Sequence, residues 1–113
     1  MSRSPSVHDL EVDVSREGTA VVLRVAGEID LATAPRLTAA IGLATASARG
    51  GTVAVDMSGV ELIDSTGLRT LLDAARQDEN LVVLRPSREV RRILELTLLA
   101  ATIPVVEDLE DVA

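Results

Sequence analysis

The chain has no cysteine, no lysine and no phenylalanine, tyrosine or tryptophan, and its one histidine is His8. Each absence removes a class of chemistry. Without cysteine there are no disulfides, no thiolate nucleophile and no sulfur-ligated metal, a composition that fits a reducing compartment. Without lysine, Gly50-Gly51, Gly59 and Gly67 cannot belong to a phosphate-cradling loop closed by that residue, so nucleotide hydrolysis of that kind is excluded. Without aromatic rings there is no stacking platform for bases or sugars. His8 sits in a polar arm with little to fix it, too isolated to build a zinc site or to serve as the base of a Ser-His-Asp set. No apolar run approaches the roughly 18 residues of a membrane span, and Met1 to Ser6 lack the apolar core of a secretory leader, so a cytoplasmic location is expected. Acidic residues outnumber basic ones 18 to 11, for a formal net charge of −7. That balance offers no basic footprint for nucleic acid and suits a partner with a basic surface.

What remains is an aliphatic protein. With 113 residues, 47% of them hydrophobic, the chain makes one domain whose core is built from Val, Leu, Ile and Ala. The core spans about residues 8–106, with a flexible arm at 1–7 and a loose acidic tail at 107–113. Leu10, Val12 and Val14 alternate with Glu11 and Asp13, a strand with one solvated side. After a turn at Ser15-Arg16-Glu17-Gly18, a second strand at Ala20–Ala26 completes a hairpin. Thr33 supplies a capping hydroxyl and Pro35 a first-turn proline for a helix carrying Leu37, Ala40, Ile41, Ala44 and Ala48, which stops at Arg49-Gly50-Gly51. Gly42 lies unfavourably in its interior. A buried strand from Val53 passes at Asp56, Ser58 and Gly59 into a loop, and a second helix covers roughly Thr66 to Arg76. Leu81–Leu84 is a short central strand. Ser87 caps a third helix lined by Val90, Ile93, Leu94, Thr97 and Leu98, and Ile103–Val106, holding Pro104, is an edge strand. The order β-β-α-β-α-β-α-β predicts an α/β fold: a small mixed sheet with an N-terminal antiparallel hairpin and helices packed mainly on one face.

Only one stretch concentrates polar chemistry. Asp64-Ser65-Thr66-Gly67 joins the third strand to the second helix and sets two hydroxyls beside a carboxylate. Asp56 and Asp64 flank the same loop and offer a carboxylate pair for acid–base chemistry, but the favoured reading is that Asp56 caps the loop by accepting backbone N–H groups. The Asp64 knot also has two readings. In the plainer one Asp64 or Ser65 caps a helix and Gly67 allows close packing. In the sharper one Ser65 is an exposed acceptor for a modification, because a helix N-terminus favours an added anion. A phosphate there brings about −1.5 to −2 charge and acts on a docking partner rather than on the fold. Thr66 is the neighbouring hydroxyl, a second candidate for either cap or phosphate.

Gly27-Glu28-Ile29-Asp30, Ala34-Pro35, Val55-Asp56-Met57-Ser58-Gly59-Val60, Ile63-Asp64-Ser65-Thr66-Gly67-Leu68 and the run from Pro86 to Thr97 together resemble the STAS-domain family. Within it they are most similar to the small stand-alone bacterial anti-sigma factor antagonists. The resemblance covers about residues 8–106. It implies a non-catalytic protein, with no cofactor, that binds an anti-sigma factor which is also a serine kinase and thereby frees a sigma factor. It implies phosphorylation at Ser65, reversed by a serine phosphatase, and a partner-facing region formed by Asp30, Asp56, Ser58, Asp64, Ser65, Thr66, Gly67 and Leu68. The alternative is an unphosphorylated STAS interaction subunit of a signalling or lipid-transport complex. Two departures stand out. The connector Arg76–Asn80 is short and lacks the customary Gly, which implies an early end to the second helix or a shifted strand. Thr97-Leu98-Leu99 replaces the Thr-Gly-Leu expected after the third helix.

Overall fold

The computed structural model describes residues 9–97 and 102–112. Its elements follow the expected order: β1 (Leu10–Glu17), β2 (Ala20–Ile29), α1 (Ala34–Ala48), β3 (Val53–Ile63), α2 (Ser65–Gln77), β4 (Leu81–Leu84), α3 (Arg88–Thr97) and β5 (Val105–Val106), then a 3-10 turn at Leu109–Val112. One five-stranded sheet runs β1-β2-β3-β4-β5. β1 pairs antiparallel with β2, and every later neighbour pairs in parallel. Because the strand order never reverses, right-handed crossovers carry every helix to the same face of the sheet. The core confirms this. Leu37 and Ile41 of α1, Leu71 of α2 and Val90 and Leu94 of α3 share one buried cluster with Leu23, Val25, Val55 and Val83 of the strands. The fold class read from the sequence is therefore the fold observed.

The opposite face holds a smaller buried set, Val22, Ala54, Val82 and Leu84, with Val106 and Leu109 packed against it. β4 is buried along its whole length, as an all-apolar strand with both faces covered must be. Pro104 lies just before β5, where its carbonyl accepts the Val83 N–H at 2.9 Å and its own missing N–H costs no ladder bond.

Four local expectations need correction. β1 continues through Glu17 and the hairpin closes on Gly18-Thr19, with Gly18 at φ 63. β3 does not end in a loop at Ser58-Gly59 but runs on to Ile63. Against β2 it carries one extra residue between the Asp56 and Gly59 pairs and another between Val60 and Leu62. Those bulges break the alternation that marks a strand, while Val60 and Ile63 still reach the core. α2 does not stop early. It reaches Gln77, and Asp78 makes the turn that glycine usually makes, its carboxylate accepting the Asn80 N–H at 2.9 Å and its carbonyl the Leu81 N–H at 3.2 Å. Thr97 does not line the buried stripe. It is exposed, and its hydroxyl bonds the Ile93 carbonyl at 2.7 Å. Ser87 does cap α3, its hydroxyl accepting the Val90 N–H at 3.3 Å. The arm at 1–7, His8, and the Leu98-Leu99 departure lie outside the described residues.

Candidate functional site

β2 and β3 end side by side, with Ile29 opposite Ile63 and the Asp64 N–H bonded to the Ile29 carbonyl at 3.1 Å. The residue after each strand is an aspartate, and each aspartate starts a helix. Asp30 is 8% exposed. Its Oδ1 accepts the N–H groups of Ala32 at 3.0 Å and Thr33 at 3.1 Å, and its carbonyl accepts the Ala34 N–H at 2.8 Å. Thr33 occupies the cap position of α1, yet its hydroxyl makes no cap bond. It instead donates to the Glu28 carbonyl at 2.8 Å and accepts the Asp30 N–H at 3.0 Å. The expected hydroxyl cap is thus replaced by the Asp30 carboxylate, and Thr33 ties the helix start back to the strand.

At the second helix, Asp64 is the N-cap, and Oδ1 accepts the Gly67 N–H at 3.0 Å. This settles which of the three polar residues caps. Ser65 occupies the first helical position, exposed, and its hydroxyl makes no hydrogen bond among the described residues. Thr66 is half-buried and does not cap. Gly67 is buried where α2 crosses the strand ends. A Cβ there would stand 2.7 Å from Ile29 Cγ2 and 2.8 Å from Ile63 Cγ1, so a side chain would lift the helix start off the sheet. Leu68 is half-buried against the core. The structure therefore brings Asp30, Asp64, Ser65, Thr66, Gly67 and Leu68 to one end of the sheet, with Ser65 as the outward hydroxyl.

Asp56 and Ser58 belong elsewhere. Asp56 lies within β3 on the face opposite the helices, in register with Arg24. Asp56 pairs with Arg24 and Ile63 with Ile29, so the two ends of this stretch lie roughly 17 Å apart along the sheet. The carboxylate pair imagined from the sequence therefore does not flank a common loop. Asp56 is 4% exposed and fully engaged. Oδ1 accepts the Ser58 N–H at 3.0 Å and the Ser58 hydroxyl at 2.8 Å, Oδ2 accepts Arg85 at 3.0 Å, and Arg24 stands 3.8 Å away. Burial pushes this carboxyl up, but the Ser58 amide and hydroxyl and the Arg85 guanidinium outweigh burial and hold it below its ordinary value of 3.8.

A group whose pKa is depressed by folding contributes stability above its unfolded pKa and loses it as pH falls through the folded pKa. Asp56→Asn is therefore expected to lower stability by about 1–3 kcal/mol at pH 7. Its deficit against wild type should shrink as pH drops below about 4. Urea unfolding of both proteins across that range is the check, and a pH-independent deficit would assign the loss to packing alone.

Sequence reasoning did not single out two exposed apolar residues at the same end of the sheet as Ser65, Leu31 and Leu62, which are 75% and 47% exposed. The signal was present but faint: each is an apolar residue directly beside a buried position rather than in phase with it. On the sheet face away from the helices, Asp9, Glu11, Glu28 and Glu61 surround a depression floored by Ala26 and Gly27. No group of three or more His, Cys, Asp or Glu among the described residues is disposed to hold a metal ion, and no described helix is long and apolar enough to cross a membrane.

Comparison with known proteins gives a consistent result. The family model described as Mlab, STAS domain matches residues 12–107. Among solved structures, an anti-sigma factor antagonist from Mycobacterium paratuberculosis is 31% identical, with 95% of this chain and 93% of that one covered and a TM-score of 0.83. SpoIIAA, a Bacillus cell fate determinant, matches in its phosphorylated form at 20% identity, with 90% and 96% covered and a TM-score of 0.64. The unphosphorylated form of SpoIIAA matches at 21% identity, with 90% and 93% covered and a TM-score of 0.70; at these identities SpoIIAA shares the fold. No curated protein matches the chain.

Proposed function

The chain belongs to the STAS-domain family and is homologous to its anti-sigma factor antagonists; from that footing we propose that it binds an anti-sigma factor which is also a serine kinase, and that phosphorylation of Ser65 switches the binding off. One observation carries the reading. Ser65 offers an exposed hydroxyl that bonds no described residue, at the first position of a helix already capped by Asp64. A phosphate at that place adds about −1.5 to −2 charge without breaking a bond of the fold. The helix N-terminus tolerates the anion within the protein, whereas a docked partner has to desolvate it. Unphosphorylated, the chain occupies the anti-sigma factor and the sigma factor is released; a serine phosphatase restores that state. In this role the chain is ligand and substrate rather than catalyst.

On this reading Asp30, Asp64, Gly67 and Leu68 shape the docking surface from beneath, Ser65 and Thr66 meet the partner, and Leu31 and Leu62 add apolar contact. Asp56 and Ser58 support β3 from the other face. The acidic depression beside Glu28 and Glu61 suits a basic partner surface. The test is capture of the tagged chain from its native cell, with intact-mass measurement of the recovered and unbound pools. The kinase-type partner should accompany the unmodified chain, and a form heavier by one phosphate, lost in Ser65→Ala, should stay unbound. Equal recovery with both forms overturns the switch.

A second reading is an unphosphorylated STAS interaction subunit of a signalling or lipid-transport complex, in which Ser65 is no more than the first residue of α2. It predicts a stable complex, no phosphate, and a partner without a kinase fold.

A further inference from the structure

The two edges of the sheet are built differently. β5 is two residues long, follows Pro104, and has the Leu109–Val112 turn packed against it. A short, covered strand behind a proline is a blunted edge. β1 runs for eight residues without a proline and keeps an unbroken register against β2. Among the described residues no strand lies on its other side.

The ladder decides which backbone groups that edge presents. The Asp9 carbonyl accepts the Glu28 N–H at 3.0 Å, so in the unbroken register Glu11, Asp13, Ser15 and Glu17 are the residues that bond β2. The N–H and C=O groups of Val12, Val14 and Arg16 therefore point away from the sheet. Their side chains share the helix side with buried Leu10, and there Val14 is 55% exposed. Arg36 borders the start of β1, and the Ser47 carbonyl accepts the Arg16 guanidinium at 2.8 Å. Leu43, on the same face of α1 between those two residues, stands beside Val14 and is 72% exposed. On the other side of the sheet Glu11, Asp13 and Glu17 are exposed, and Glu11 continues into the acidic depression with Asp9, Glu28 and Glu61. The edge thus offers unpaired main chain, with an aliphatic strip on one side and an acidic strip on the other.

We propose that the outer edge of β1 docks an extended strand of a partner protein in which arginine or lysine alternates with an aliphatic residue. Main-chain bonds to Val12, Val14 and Arg16 hold the strand. Its aliphatic side chains lie against Val14 and Leu43, and its basic ones meet Glu11, Asp13 and Glu17. Charge decides the occupant. A second copy of this chain, added with its helices on the same side, would set acids against acids, which is destabilising. The site stands apart from the Ser65 switch and does not rest on it.

The test is an NMR titration of the isotope-labelled full chain with a blocked peptide of β1's length that alternates lysine with valine. One control alternates glutamate with valine, and another is the lysine–valine peptide N-methylated along its pairing edge. The lysine–valine peptide should shift the Val12, Val14 and Arg16 amides saturably and slow their hydrogen exchange, with both controls weaker by roughly tenfold or more. Asp13→Lys should weaken binding roughly tenfold. Val14→Pro removes an outward N–H from an edge strand, so it should lose binding while melting close to wild type; the methylated peptide asks the same question without touching the fold. Equal binding of either control peptide, or shifts centred away from β1, overturns the proposal. Slow exchange of the same three amides in the peptide-free chain also overturns it, in favour of a second copy if the protection grows with concentration and of another segment of this chain if it does not.

Discussion

Ser65→Asp is expected, under the proposed switch, to weaken binding of the anti-sigma factor by roughly 100-fold, the size that follows from burying an uncompensated charge at an interface. Its unfolding curve should stay close to that of wild type. The carboxylate at position 65 stands at a helix N-terminus, where a negative charge is favourable by about 0.3–1 kcal/mol, and the hydroxyl it replaces makes no hydrogen bond among the described residues. Stability and binding are therefore uncoupled at this residue. Ser65→Ala should bind at least as tightly as wild type and remain bound when ATP and the kinase are present. Titration calorimetry paired with thermal melts measures both sides. Wild-type affinity in Ser65→Asp removes the switch, whereas losses of affinity and stability in proportion would make Ser65 a structural residue after all.

The second large effect concerns stability. Gly27→Ala should destabilise the protein by about 3–5 kcal/mol, the sum of a strained backbone and an overpacked contact. Gly27 has φ 108, and a Cβ there would collide with the carbonyl oxygen of Asp9. That carbonyl cannot step aside, because it accepts the Glu28 N–H at 3.0 Å and precedes Leu10, which is paired with Gly27. Gly18 is the control. It also has positive φ, 63, but faces open space, so Gly18→Ala should lose only the backbone part, about 1 kcal/mol. Urea midpoints of the two variants separate the contributions, and equal losses would show that the start of β1 moves away freely.

The elements legible in the sequence are those whose signals are local. β1 announces itself by alternation, β2 by its richness in Val and Leu, β4 by an unbroken apolar run between polar breaks, and α3 by its stripe and the Ser87 cap. The second half of β3 was illegible because its bulges disrupt the very period that identifies a strand, so Ser58-Gly59 read as a loop and Asp56 was placed beside Asp64. Capping was legible only as a set of candidates. Asp30 and Thr33 are both good cap residues, three apart, and only the path of the chain decides that the carboxylate bonds the helix amides while the hydroxyl returns to Glu28. The outward hydroxyl at Ser65 could be nominated from its position at a strand-to-helix junction. That Asp64 alone caps, leaving Ser65 unengaged, depends on rotamers no pattern encodes. The clamp on Asp56 was hidden for a different reason. Arg24 comes from β2 and Arg85 from the bend just after β4, on either side of β3, and such partners meet only once the register is set.

The unidirectional strand order leaves one broad surface of the sheet with no α-helix among the described residues, and that has a practical consequence for handling the protein. Val82 and Leu84 on that surface are shielded in part by Val106 and Leu109, residues near the end of the chain. A version cut back to the last strand would expose more of the aliphatic set Val22, Ala54, Val82 and Leu84 and raise its tendency to self-associate. Any truncation should therefore keep the segment through Leu109 intact.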